Sequence, residues 1–234
     1  MSTPTGSYAV VLCTCAREHS YAPATIRSAS AADPGGWSGA AHRLAIVDGH
    51  DGRYLGGTPR TAEMKVRTHK GEPLGAYGNV ARALAAGAES GADAVVLLED
   101  DLELAPGWLT ALARLGFSHV APYFPRYFIS GYVPYVLAPR PSCRWLADYD
   151  VPFYASCCLF LPRDVAADLA AALHRGAGQA DHEPADLTIA RAAKDLGLRI
   201  FATVPSVAQH VGDASTLGAT EVRRSPTFGS LDVP

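Results

Sequence analysis

No apolar run in this sequence approaches the ~20 residues that a membrane-spanning helix needs. The first seven residues, Met1 to Ser7, are short and polar. The apolar stretch after them is too brief for a secretory signal, so a cytoplasmic chain with no membrane span is expected. An excess of positive charge is also lacking. Twenty Lys and Arg face 23 Asp and Glu, for a net charge of −3, which argues against the basic stripe of a dedicated nucleic-acid binder. Cysteine is sparse: Cys13, Cys15, Cys143, Cys157 and Cys158 are odd in number and contain no CxxC pair. That excludes a complete disulfide framework and gives no zinc signature. Cys13 and Cys15 could share one face of a strand, but buried free thiols are the expectation for all five. Neither a repeat nor a low-complexity segment is present.

What is present is a globular composition, 48% hydrophobic and 18% charged over 234 residues. This suits one domain with a large core. The chain is organised around Ala94-Val95-Val96-Leu97-Leu98-Glu99-Asp100-Asp101-Leu102-Glu103. Five apolar residues running into three carboxylates read as a strand buried on both faces of a mostly parallel sheet. Such sheets gather ligands at the carboxyl ends of their strands, where Glu99, Asp100 and Asp101 fall. Adjacent carboxylates repel and lose hydration when buried, so they require a cation, hydrogen-bond donors or open water. Magnesium or manganese would satisfy them through oxygen ligands. A solvated strand end, or an acidic approach to a helix beginning at Pro106, would do so without a ligand.

Tyr8 to Thr14 reads as a first strand, Ala22 to Ser30 as a helix with Ala24, Ile26 and Ala29 inward, and Arg43 to Val47 as a second strand. Together they form a βαβ unit, normally right-handed and parallel. Asp48 then lies at a strand end, able to accept hydrogen bonds from a nucleoside or simply to form the Asp-Gly turn with Gly49. Gly56 to Gly75, with Arg60, Lys65, Arg67 and Lys70, reads as a solvated loop or a basic segment near phosphates. Tyr77 to Glu89 is a helix with Val80, Ala83, Leu84 and Ala88 on one stripe. Pro106 to Leu115 is another, with Trp108, Leu109 and Leu112 as its apolar side.

Between Val120 and Pro152 aromatics and prolines dominate, predicting irregular loops and short strands. Such rings can wall a sugar or pack a loop-rich lobe. Tyr154 to Leu161 is strand-like, and a helix follows from Arg163 to about Leu173. Asp181, Glu183 and Asp186 precede a helix that runs to Leu196, with Leu187, Ala190 and Ala193 inward and Gly197 as its stop. Asp186 there either complements the helix dipole or serves chemistry. Arg199 to Thr203 is a last strand, and residues after Gly218 are expected to be poorly ordered, or to act as a flap or homodimer contact.

In this order the residues resemble a nucleotide-sugar-dependent glycosyltransferase of the GT-A fold, from about Tyr8 to Gly218. Val10 to Thr14 is similar to the nucleotide-side first strand, Ile46 to Gly49 to the second, and Asn79 with Ala83-Leu84 to the helix before the acidic strand. Leu98-Glu99-Asp100-Asp101 is similar to the DxD-type site, with Glu at its first position. Gln209-His210-Val211-Gly212 with Ser215 resembles a closing segment of N-acetylglucosaminyltransferases.

The resemblance implies a single α/β, Rossmann-like domain: a mostly parallel sheet flanked by helices, with a loop-rich aromatic lobe on the acceptor side. Its nucleotide-binding half would span about residues 7–103, its acceptor-side half about 104–218, and a tail about 219–234. It further implies donor contacts from Thr14, Asp48, Asn79, Glu99 and Asp100. A manganese or magnesium ion would rest on Asp101 and His210, and a base would come from Asp186 or Glu183. The donor would be UDP-linked, with UDP-N-acetylglucosamine leading; the acceptor would be a small molecule, glycan, lipid-linked sugar or protein. A sugar-phosphate nucleotidyltransferase would instead open with a Gly-rich loop after the first strand, where this chain has Cys15-Ala16-Arg17-Glu18-His19. A non-catalytic nucleotide-sugar-binding protein would require neither metal ligands nor Asp186.

Overall fold

Residues 6–15, 20–48, 63–69, 74–150, 152–176, 185–212 and 224–233 are described in the computed structural model. The chain alternates strands and helices in the manner of an α/β protein. β1 (Tyr8–Cys15) leads through α1 (Ala22–Ala32) and α2 (Pro34–Gly39) into β2 (His42–Asp48). β3 (Lys65–His69), α3 (Gly75–Glu89), β4 (Ala94–Glu99) and β5 (Leu102–Leu104) follow. α4 (Trp108–Arg114) continues into a π-helical segment, Leu115–Val120, and then come β6 (Tyr127–Ser130) and β7 (Leu146–Asp148). β8 (Cys158–Pro162), α5 (Arg163–Gly176), α6 (Ala185–Asp195), β9 (Arg199–Thr203) and β10 (Ala208–His210) complete the order.

Eight strands form one sheet in the order β3-β2-β1-β4-β8-β6-β9-β7. β3, β2, β1 and β4 are mutually parallel. β8 opposes β4 and β6, β9 runs parallel to β6, and β7 opposes β9. Six strands therefore share one direction, giving the mostly parallel sheet that the sequence predicts, with helices on both faces. Side chains alternate along a strand, so Val95 and Val96 point to opposite sides. A Cβ at Gly87 of α3 would meet Val95 and Val11, which puts α3 on the Val95 face, packed on α5, itself packed on α6. On the other face Gly116 of the π-helical segment lies against Phe160, the register partner of Val96. The strands are buried along almost their whole length in β1 and β4, which explains their unbroken apolar character.

Gly116 has a packing reason to be glycine. A Cβ there would fall within the Phe160 ring, and Phe160 is itself fully buried, so the ring cannot swing away. Gly116→Ala is expected to destabilise the protein by about 1–3 kcal/mol through overpacking. At about 2–4 °C per kcal/mol for a chain of this length, a thermal melt reads the effect directly. An unchanged melting temperature would contradict this packing.

Several boundaries differ from expectation, each for a local reason. The basic segment is not all loop: Lys65–His69 pairs in parallel with β2 as the sheet edge, and Arg67 forms an exposed ion pair with Glu89 at 3.1 Å. Arg60 and Lys70 lie outside the described residues. Ala24 of α1 is exposed and Thr25 takes the inward position. α4 starts at Trp108, after Gly107 with φ of 71°, rather than at Pro106. β8 starts at Cys158, because Tyr154–Cys157 serves as an irregular lead-in. The inward stripe of α6 is Thr188, Ile189 and Ala193, one residue off the Leu187–Ala190 reading. Its end follows expectation: Gly197 adopts a φ of 66°, and Leu198 N–H donates to Ala193 O at 2.9 Å, a Schellman closure.

Part of the tail is packed, not loose. Leu231 and Val233 are buried, and Arg114 Nη1 donates to Val233 O at 2.6 Å. The five cysteines are free thiols, Cys13 and Cys158 buried. Among the described residues, no helix is long and apolar enough to cross a membrane.

Candidate functional site

The carboxyl ends of β1, β2 and β4 lie side by side. Cys15 is in register with Asp48, and Cys13 with Glu99. Thr14, Asp48, Glu99, Asp100 and Asp101 are thus brought together by parallel pairing alone. α3 runs antiparallel to the strands, so its first turn meets the same end. Leu74 N–H donates to Asp48 Oδ2 at 2.8 Å, and Asn79 Nδ2 donates to Thr14 O at 2.8 Å. Asp48 Oδ1 and Asn79 Oδ1 are buried without a hydrogen-bond partner among the described residues. A buried acceptor left unmade is unfavourable by about 1–3 kcal/mol, so both oxygens favour an incoming donor.

The acidic triplet divides by side-chain alternation. Asp100 is 1% exposed and is turned inward, where Thr14 Oγ1 donates to its Oδ2 at 2.5 Å. Thr25 of α1 braces the backbone of the same turn. Its hydroxyl donates to Asp100 O at 2.7 Å and accepts from Leu102 N–H at 2.9 Å. Glu99 is half-buried, and Asp101, itself buried, is turned toward His210.

His210, which the resemblance pairs with Asp101, reaches it through a strand pairing that no periodicity announces. β10 pairs antiparallel with β5, opposing His210 to Leu102, and Val211 N–H donates to Asp101 O at 2.9 Å. This two-stranded ribbon sets His210 Nε2 at 3.2 Å from Asp101 Oδ2, the two side chains 25% and 6% exposed. The opening to solvent is therefore on the histidine side. Gly212 is needed here, since a Cβ would come within 2.6 Å of Asp101 Oδ2. Gln209 of the same strand is held by the tail, accepting from Ser225 N–H at 3.1 Å.

Asp186, in the first turn of α6, reaches out of its helix. Its Oδ1 accepts from Ser156 N–H at 2.9 Å, and Ser156 Oγ donates to Glu99 Oε1 at 2.8 Å. Burial first, then the charges of Asp101 and Asp186, push the Glu99 carboxyl from 4.5 up to about 7, while Ser156 and His210 oppose the rise. Burial and the charges of Glu99, Asp186 and Asp101 also push the Cys157 thiol well above its usual range, leaving it a poor nucleophile. The Tyr149 phenol is raised by burial and lies in the field of Tyr135 and Asp186, so part of the aromatic lobe borders this cluster. Other rings of that lobe serve packing: Phe128 and Tyr149 both meet Phe153 edge-on.

Of the residues singled out from the sequence, Thr14, Asp48, Asn79, Glu99, Asp100, Asp101, Asp186 and His210 converge at this one end of the sheet. Asp181, Glu183 and Ser215 lie outside the described residues. Ser156 and Thr25 have no place in the sequence reading of the site, whereas Gly212 enters it in the closing segment and Cys157 only as a buried free thiol. A lone serine within the apolar run Tyr154–Leu161 was the one signal available for Ser156. A groove of about 510 Å³ lined by Pro139, Arg140, Ser142, Asp148 and Asp150 contains none of these residues. No group of three or more His, Cys, Asp or Glu placed to hold a metal occurs among the described residues. Asp101 and His210 nevertheless offer an oxygen and an imidazole nitrogen close enough to share one ion. Magnesium-type sites commonly use one or two carboxylates, with phosphates and water completing the shell, so the Asp101 carboxylate fits such an ion, with His210 as a nitrogen donor beside it. In comparisons with known proteins, the chain matches no family model and no curated sequence.

Proposed function

We propose that this protein is a glycosyltransferase of the GT-A type. In this reading it moves a sugar from a nucleotide-diphosphate donor, UDP-linked and foremost UDP-N-acetylglucosamine, to an acceptor hydroxyl with inversion. The observation that carries the proposal is the gathering of two functions at one sheet end. Buried acceptors of Asp48 and Asn79 await a nucleoside, and the carboxylates of Glu99, Asp101 and Asp186 gather with His210 at the same sheet end. The strand order, with one antiparallel strand, β8, inserted beside β4, is compatible with the fold the sequence resembles.

Each residue has a task in this reading. Asp48 Oδ1 and Asn79 Oδ1 accept from the donor's nucleoside, and Thr14 with Asp100 holds the strand ends that carry them. Asp101 and His210 would hold a manganese or magnesium ion, which when bound supplies Lewis-acid neutralisation of the departing diphosphate. Asp186 accepts the proton of the attacking hydroxyl as the new glycosidic bond forms and the bond to the diphosphate breaks. An alcohol is far too weak an acid to ionise unaided, so this transfer requires a fixed carboxylate. Asp186 meets the requirement through its anchor to Ser156.

A thermal-shift screen of nucleotide sugars, each with and without manganese, tests the proposal. A ligand that binds only the native state must raise apparent stability. The expected result is a rise with UDP-sugars that grows when manganese is added. No rise with any nucleotide or nucleotide sugar would overturn the reading.

A further inference from the structure

Glu99 and Asp186 stand on β4 and α6, and Ser156 on the lead-in to β8 spans the space between them. It is 3% exposed and uses two different groups: its hydroxyl donates to Glu99 Oε1 at 2.8 Å and its amide to Asp186 Oδ1 at 2.9 Å. The turn around it is pinned from behind. Glu99 N–H donates to Cys157 O at 2.8 Å, and Ser130 Oγ donates to Ala155 O at 2.8 Å. Glu99 and Asp186, both bonded to Ser156, repel one another when charged, so without this bridge β4 and α6 would relax apart at that end.

We infer that Ser156 is a positioning residue that locks the Asp186 carboxylate to the donor side of the site, an inference that rests on the sugar-transfer reading. Its hydroxyl fixes the lead-in to Glu99, and the lead-in amide then fixes Asp186. Removing the hydroxyl leaves the amide and both of those pins in place but unties the turn from the Glu99 carboxylate, which loosens the aim of the amide at Asp186. A displacement of about 1 Å at a reacting group can cost roughly 10²-fold in rate.

Ser156→Ala in the full chain is therefore expected to lower kcat about 10–100-fold. Affinity for the nucleotide donor should change less than about threefold, because Asp48, Asn79 and Asp101 are untouched. The discriminating measurement is the same substitution on an Asp186→Asn background. A residue that acts only through Asp186 should there lower the residual rate by less than about twofold, since effects of groups acting as a unit do not multiply. A Ser156→Ala enzyme with near-parent kcat, or one whose loss multiplies fully with Asp186→Asn, overturns the inference while leaving the sugar-transfer reading intact. A parent enzyme that transfers no sugar from any nucleotide donor overturns both.

Discussion

Asp186→Asn should lower sugar transfer by roughly 10²–10⁴-fold while donor binding stays within about twofold of the parent. The substitution keeps size and shape, and the amide oxygen of Asn can still accept from Ser156 N–H, which now meets Asp186 Oδ1 at 2.9 Å. Only the capacity to take a proton at neutral pH disappears. The competing account is that Asp186, lying in the first turn of α6, complements the helix dipole. That account predicts a stability loss of about 0.3–1 kcal/mol and turnover little changed. Measuring turnover and melting temperature on the one variant separates them. The side chain reaches across to the lead-in of β8, which a purely dipole-complementing residue has no need to do. Near-normal turnover would transfer the role of base to Glu183 or Asp181 and withdraw it from Asp186.

How far the sequence could be read depended on whether the controlling interactions were local. β1, β2 and β4 were legible because a strand buried on both faces must be apolar throughout, and their carboxyl ends could be named once the strands were placed. Asp48 and the acidic triplet followed from that. Asp100 shows the limit: the sequence offers three equivalent carboxylates, but side-chain alternation and the hydroxyls of Thr14 and Thr25 turn the middle one inward. The edge strand β3 reads as loop in the sequence because Lys65, Val66, Arg67, Thr68 and His69 lack a buried face, and only pairing with β2 makes them a strand. His210 met Asp101 through the β5–β10 ribbon, a pairing of three-residue strands about a hundred residues apart that no periodicity announces. Ser156 was hidden for the same reason, since its meaning lies in two partners on other elements. The packed end of the tail rests on long-range contacts too: Leu231 and Val233 alone are too short an apolar signal.

Asp101→Asn is the variant on which the metal assignment depends, and its effect should reverse in sign with the ion. Without a divalent cation, Glu99, Asp101 and Asp186 crowd their charges together: burial first, and then the charges of Asp101 and Asp186, raise the Glu99 carboxyl. Removing one charge should then leave the melting temperature unchanged or higher. With manganese and a nucleotide sugar, the parent should be stabilised and the variant not, because an amide cannot supply the charge–charge attraction that binds the ion. The expected loss in manganese-dependent donor affinity exceeds the roughly 10–100-fold that follows removal of a mere outer partner of a metal ligand. His210→Ala should be milder, since its position is 25% exposed and water can replace the imidazole as a ligand. The order of severity itself carries information. A solvated strand end would make both substitutions neutral toward manganese. A hydrogen-bonded Asp101–His210 pair with no metal role would make them equally mild. Only a shared cation makes the buried carboxylate dominant, and an Asp101→Asn protein that binds donor and manganese as tightly as the parent would remove the ion from this site.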